Sequence, residues 1–241
     1  MINYAESDVL IERLNVSVKE LGLTQDSLIE KIIDGLVAKS AKREVYIEEF
    51  KSNRKFLLEK IFNNQINDFW DPNDLNDILR CILKILLSKS AYKRLLEEIG
   101  QHNLYSDGTP ICYDPAKNGQ NILKHGIVFH AVHSYSHGHF PLISPNRGER
   151  QVLFTRYYFE DNNHIYMCEE KPDKKYSFVA TVFDSTDDDR MMFITSRIID
   201  LGGDIDYQLE MLISQNGLNP NDLDSLRSRA LEILRESEQY V

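Results

Sequence analysis

Histidine is distributed unevenly along this chain. Of the seven histidines in 241 residues, six (His125, His130, His133, His137, His139 and His164) fall between positions 111 and 200. With an ordinary pKa of about 6.5, imidazole is the side chain best suited to exchanging a proton near neutral pH. His130, His133 and His137 follow an i, i+3, i+7 spacing, which places them on one face of a helix, and His139 comes after Gly138. Such a set has the donors to gather Zn, Cu or Ni. However, no acid or cysteine stands at a recognised ligand spacing and nothing resembles HExxH. A polar helix face that meets RNA or a partner is therefore the stronger reading, and no metal or cofactor is expected. The run Asp187 to Asp189 reads in the same way, as a solvated hairpin turn.

The elements that must position these groups follow from periodicity. Apolar residues recur at three- and four-residue steps over 7–21 and 25–39, with Gly22 between and Thr24 as N-cap. Further helical patterns cover 44–63, 73–87 (Leu75, Ile78, Leu79, Ile82, Leu83, Leu86) and 91–99, and Asp71-Pro72 opens the second of these. The Gly22 region has a loose helix-turn-helix rhythm, but its second helix is acidic, so a docking bundle is preferred to DNA binding. A turn-rich stretch at 102–110 marks a boundary. Beyond it come a short strand at 111–113, a helix that starts at Asp114-Pro115 and stops at Gly126, and a helix over 128–136. Aromatic and branched stretches at 151–159, 164–170, 176–184 and 190–198 read as antiparallel strands. Residues 205–241 return to helix, capped near Asn221 or Asp222 after Pro220. The expectation is an α+β protein with a helical N-terminal domain (1–103), an antiparallel-sheet domain (104–203) and an acidic helical tail (204–241).

Composition narrows the function. A net charge of -10 argues against broad nonspecific binding of nucleic acid. The charge is concentrated in residues 201–241, which hold 3 basic and 8 acidic side chains, whereas residues 111–200 hold 10 and 12. No apolar run reaches about 18 residues, so no membrane partner is expected. The acidic N-terminus does not read as a signal peptide. Three cysteines (Cys81, Cys112, Cys168) without CxxC spacing suggest a reducing cytoplasm.

Residues 113–132, YDPAKNGQNILKHGIVFHAV, carry a resemblance. Tyr113, Asp114, Lys117, Asn121, Lys124, His125, Gly126 and Phe129 follow the order of the opening motif of BrnT-type toxins. Gly148-Glu149-Arg150 and the run from Arg190 to Arg197 then match, in order, that family's later strand motifs. The resemblance covers about residues 111–200. It implies a fold similar to RelE-like ribonuclease toxins, a metal-independent hydrolase that cuts RNA, and inhibition by a cognate antitoxin. Cleavage of RNA without a metal needs an activated 2′-hydroxyl, a proton for the leaving oxygen and cations on the phosphate. His125 and Glu149 are the candidates for proton transfer, with Arg150 and Arg197 holding phosphate in the catalytic set. Lys117, Lys124, Arg156 and Tyr157 are the RNA-binding candidates. Strand alternation places Arg150, Val152, Phe154, Arg156 and Tyr158 on one face, and Tyr157 or Tyr158 would stack on a base.

Each role has a structural rival. Lys124-His125-Gly126 also fits a helix C-terminus. Arg150 and Arg197 also fit ion pairs on the sheet rim, and Tyr157 also fits packing. The leading expectation is a regulated ribonuclease whose acidic tail mimics phosphate or antitoxin, so that truncation after Gly203 raises activity. The alternatives are a non-catalytic module that binds a protein partner through a toxin-like scaffold, and a metal-dependent hydrolase built on the histidine cluster. Self-association into a homo-oligomer stays open.

Overall fold

The computed structural model describes residues 4–37, 54–59, 61–62, 72–99, 111–136, 150–158, 176–187, 190–199 and 204–238. They form an α+β structure with one four-stranded sheet. The expected helix over 44–63 is described only in its second half, and the expected strand over 164–170 lies outside the described residues. The chain builds two compact units from interleaved segments. One comprises Met1–Tyr105, Asp114–Gly126 and Glu160–Pro172; the other comprises Ser106–Tyr113, Ile127–Phe159 and Asp173–Val241.

The helical unit contains α1 (Tyr4–Glu20), α2 (Gln25–Val37), α3 (Pro72–Leu86), α4 (Lys89–Glu98) and α5 (Pro115–His125). Thr24 closes a reciprocal cap with Ser27 at the start of α2, where Oγ1 accepts from the Ser27 N–H at 3.3 Å and the Thr24 N–H donates to the Ser27 hydroxyl at 2.8 Å. The centre is α3, which packs against α1, α2, α4 and α5. Its apolar stripe of Ile78, Leu79, Ile82, Leu83 and Leu86 is buried, as the periodicity requires. Asp74, Asn76, Asp77 and Arg80 are buried as well. Arg80 and Glu6 of α1 form an ion pair at 2.5 Å with side chains 2% and 9% exposed. The Ser7 hydroxyl donates to Asn76 at 2.7 Å, and the Asn118 amide of α5 donates to Asp77 at 2.8 Å. Gly119 sits where α5 crosses α3, so close that a Cβ would overlap the Asp77 carbonyl.

The sheet unit orders its strands β1 (Ile111–Tyr113), β4 (Met191–Ile198), β3 (Tyr176–Ser185), β2 (Gln151–Tyr158). The sheet is mixed rather than antiparallel throughout, since β1 runs parallel to β4 with Tyr113 opposite Phe193. Parallel neighbours need a long crossover, and β2 and β3 lie within it. The last two pairings are antiparallel, with an irregularity at Val182/Phe183. One face is covered by α6 (Phe129–Tyr135), where Phe129 packs edge-on to Tyr113 and Phe193. The other face carries Val152, Phe154, Phe178, Ala180 and Val182. These are packed against Leu209, Leu212 and Ile213 of α7 (Ile205–Asn216), Leu218, and Leu226 and Ala230 of α8 (Leu223–Glu238). The C-terminal segment therefore breaks into two helices at Gly217, whose φ of 64° ends α7. A short 3-10 turn at Pro220–Asp222 leads into α8. No described helix is long and apolar enough to cross a membrane.

Candidate functional site

The opening motif of the resemblance is divided: Asp114 to Gly126 build α5 and its caps in the helical unit, whereas Tyr113 belongs to β1 and Phe129 to α6 in the sheet unit. Asp114 is the N-cap, accepting from the Ala116 N–H at 2.9 Å, and it also pairs with Lys84 at 2.7 Å. Pro115 fills the first turn, and Gly126 (φ 68°) closes the helix through its N–H to the Ile122 carbonyl. Lys124-His125-Gly126 is thus a helix C-terminus, with two basic side chains in the last turn at the negative end of the dipole. The Lys124 carbonyl accepts from Arg54 at 2.9 Å. Lys117 reaches Gln120 at 3.4 Å, and Asn121 is buried. Lys84, Lys117 and Lys124 all act on Cys81, whose thiol is nonetheless pushed up to about 12 by burial.

The other described candidates lie in the sheet unit. Arg150 stands just before β2, and its Nη1 donates to the Asn216 carbonyl at 2.5 Å while its Nε lies 3.5 Å from Asp184. Arg197, opposite Ala180 on β4, donates from Nη2 to the Gln215 side chain at 2.8 Å. Both guanidiniums therefore meet the last turn of α7, where unsatisfied carbonyls favour cations. There the Asn216 main-chain carbonyl accepts from Arg150 and the Gln215 side-chain amide from Arg197. The alternation that puts Val152 and Phe154 with Arg150 holds, yet that face is sealed by α7 and α8 and is not an open RNA surface. Arg156 on the same strand is half-buried.

Tyr157 corrects its expected role. Its ring is 0% exposed, its hydroxyl accepts from the Val128 N–H at 3.2 Å, and it meets Tyr135 edge-on at 5.3 Å. A ring so enclosed has no face left for a base. Glu149, His137, His139 and His164 lie outside the described residues. His130 is exposed and His133 half-buried on α6. Among the described residues no group of three metal-ligating side chains converges. Asp187 is exposed in the hairpin turn, where the Thr186 hydroxyl accepts from the Arg190 N–H.

Beside Arg150 lies a cleft of about 700 Å³ lined by Arg150, Asp184, Ser185, Met192, Gly217, Leu218 and Asn219. This lies within the size range of small-molecule sites. Of these residues only Arg150 stood out in the sequence. Asp184 read as the end of a strand at its turn, and Gly217 and Asn219 did not stand out within the helical tail. Their convergence depends on the strand register and on α7 ending beside β3. No protein family, curated protein or solved structure matches the chain.

Proposed function

We propose that this chain is a non-catalytic protein-binding module built on a toxin-like scaffold. The observation that carries this reading is the engagement of Arg150 and Arg197 by the last turn of α7, under a face sealed by the C-terminal helices. These are the cations that phosphate cleavage would require, and here they hold a helix end. Two further motif positions, Asp114 and Gly126, cap α5, and Tyr157, an RNA-binding candidate, fills the core. The setting we propose is a reducing cytoplasm, in keeping with the buried free thiols of Cys81 and Cys112.

The test is RNA integrity and growth during tightly induced expression of the full chain, His125→Ala and Arg150→Ala. All three should leave RNA and growth unchanged. Arg150→Ala should lower stability by about 1 kcal/mol in urea titration, as expected for loss of a charge-assisted bond to a carbonyl. Degradation of RNA by the unmodified chain, abolished by Arg150→Ala, would overturn the reading. That result would favour the second reading, a metal-independent ribonuclease, supported by the order of the three motifs and by the cleft beside Arg150.

A further inference from the structure

The geometry points to the cleft beside Arg150 as a binding site for a free α-amino acid, with Arg150 taking its carboxylate and Asp184 its ammonium group. The inference stands apart from both readings above, since it needs neither a protein partner nor RNA. It starts from charge balance. The Nε of Arg150 lies 3.5 Å from Oδ2 of Asp184, with side chains 40% and 26% exposed, so the mouth of the cleft carries one positive and one negative group side by side. A phosphate on the guanidinium would sit against the carboxylate, and a simple cation on the carboxylate would sit against the guanidinium. A ligand that carries both charges on one carbon satisfies both walls at once.

The remaining valences match. Two nitrogens of Arg150 are engaged, Nη1 by the Asn216 carbonyl and Nε by Asp184, while Nη2 has no partner among the described residues. Asp184 is paired only with Arg150 there. The pair is partly exposed, so loosening it toward a ligand costs little. Asn219 uses its Oδ1 to accept from the Asn221 N–H, which leaves its amide NH₂ to donate, and the Ser185 hydroxyl is exposed. Met192 and Leu218 supply apolar wall for a ligand side chain. Gly217, whose φ of 64° ends α7, forms the edge of the cleft beside Nη1 of Arg150.

The experiment measures the thermal midpoint of the full chain with each proteinogenic L-amino acid at about 10 mM, using the rise that ligand binding to the folded state produces. The N-acetyl and methyl ester forms and inorganic phosphate are run in parallel. At least one free amino acid should raise the midpoint, and its derivatives, each lacking one charge, should not. Asp184→Asn should weaken the response about ten-fold or more. Ser185→Trp, which fills the mouth from an exposed strand end without removing either charge, should abolish it. No response to any free amino acid, an equal response to a derivative, a response to phosphate, or an undiminished response in either variant would overturn the assignment. None of these outcomes bears on RNA integrity, which tests the functional reading separately.

Discussion

At the residue scale, the polar side chains inside the helical unit set its behaviour. Gly119 allows α5 to approach the backbone of α3, and a Cβ there would meet the Asp77 carbonyl and lie 2.7 Å from the Ile78 nitrogen. Backbone does not move aside as a flexible side chain does, so Gly119→Ala should cost about 1–3 kcal/mol in a urea titration. A neutral result would mean that the helices separate freely. Asp77 is the second case. Burial raises its carboxyl well above the ordinary value of 3.8, while the Asn118 hydrogen bond and Arg80 pull it back and Asp74 and Glu6 add to the rise. The folded state then holds this proton more tightly than the unfolded chain. Its stabilising effect is complete below 3.8 and is lost as pH rises through the raised folded value. Asp77→Asn, which keeps the shape, should match the native chain at low pH and exceed its stability near neutrality, as followed by denaturation midpoints from about pH 3 to about pH 8. Parallel curves would sink this account. The sequence did not set these residues apart. Asp77 and Arg80 fall between the positions of the apolar stripe, where charge is expected, and their partners Asn118 and Glu6 lie 41 and 74 positions away in the chain.

At the scale of elements, punctuation was legible and cover was not. Thr24, Asp114-Pro115 and Gly126 start and stop their helices where local chemistry requires, because a cap depends only on neighbours a few residues away. Of the five residues that alternation along β2 grouped, Val152 and Phe154 share one buried face, and Arg150, just before the strand, reaches α7 as they do. Which face lies open is a different matter, since period two separates the faces without saying what packs on each. Acidity made the C-terminal segment look detachable, but its inner stripe is apolar. Burying Leu209, Leu212, Ile213, Leu218 and Leu226 contributes about 8–15 kcal/mol as an upper estimate, on the order of a whole domain's stability. A lid held that firmly is not released by a regulator. Truncation after Gly203 should therefore give an unfolded or aggregated protein, read out by circular dichroism and size exclusion. A folded, monomeric truncation product would restore the idea of a removable tail.

At the scale of the whole molecule, the chain order matters as much as the contacts. Segments of the two units alternate, so neither unit corresponds to one uninterrupted stretch of sequence. A boundary placed at the turn-rich stretch 102–110 follows composition, whereas Asp114–Gly126 groups with the helices and residues beyond 203 with the sheet. Composition reports where the chain turns, and long-range pairing decides where it belongs. The parallel pairing of β1 with β4 carries this into time. Ile111, Cys112 and Tyr113 are buried in the finished sheet, yet their partners Met191, Met192 and Phe193 come about 80 residues later. At a synthesis rate of about 5–20 residues per second, this apolar strand leaves the ribosome and waits roughly 4 to 16 s for its neighbour to be made.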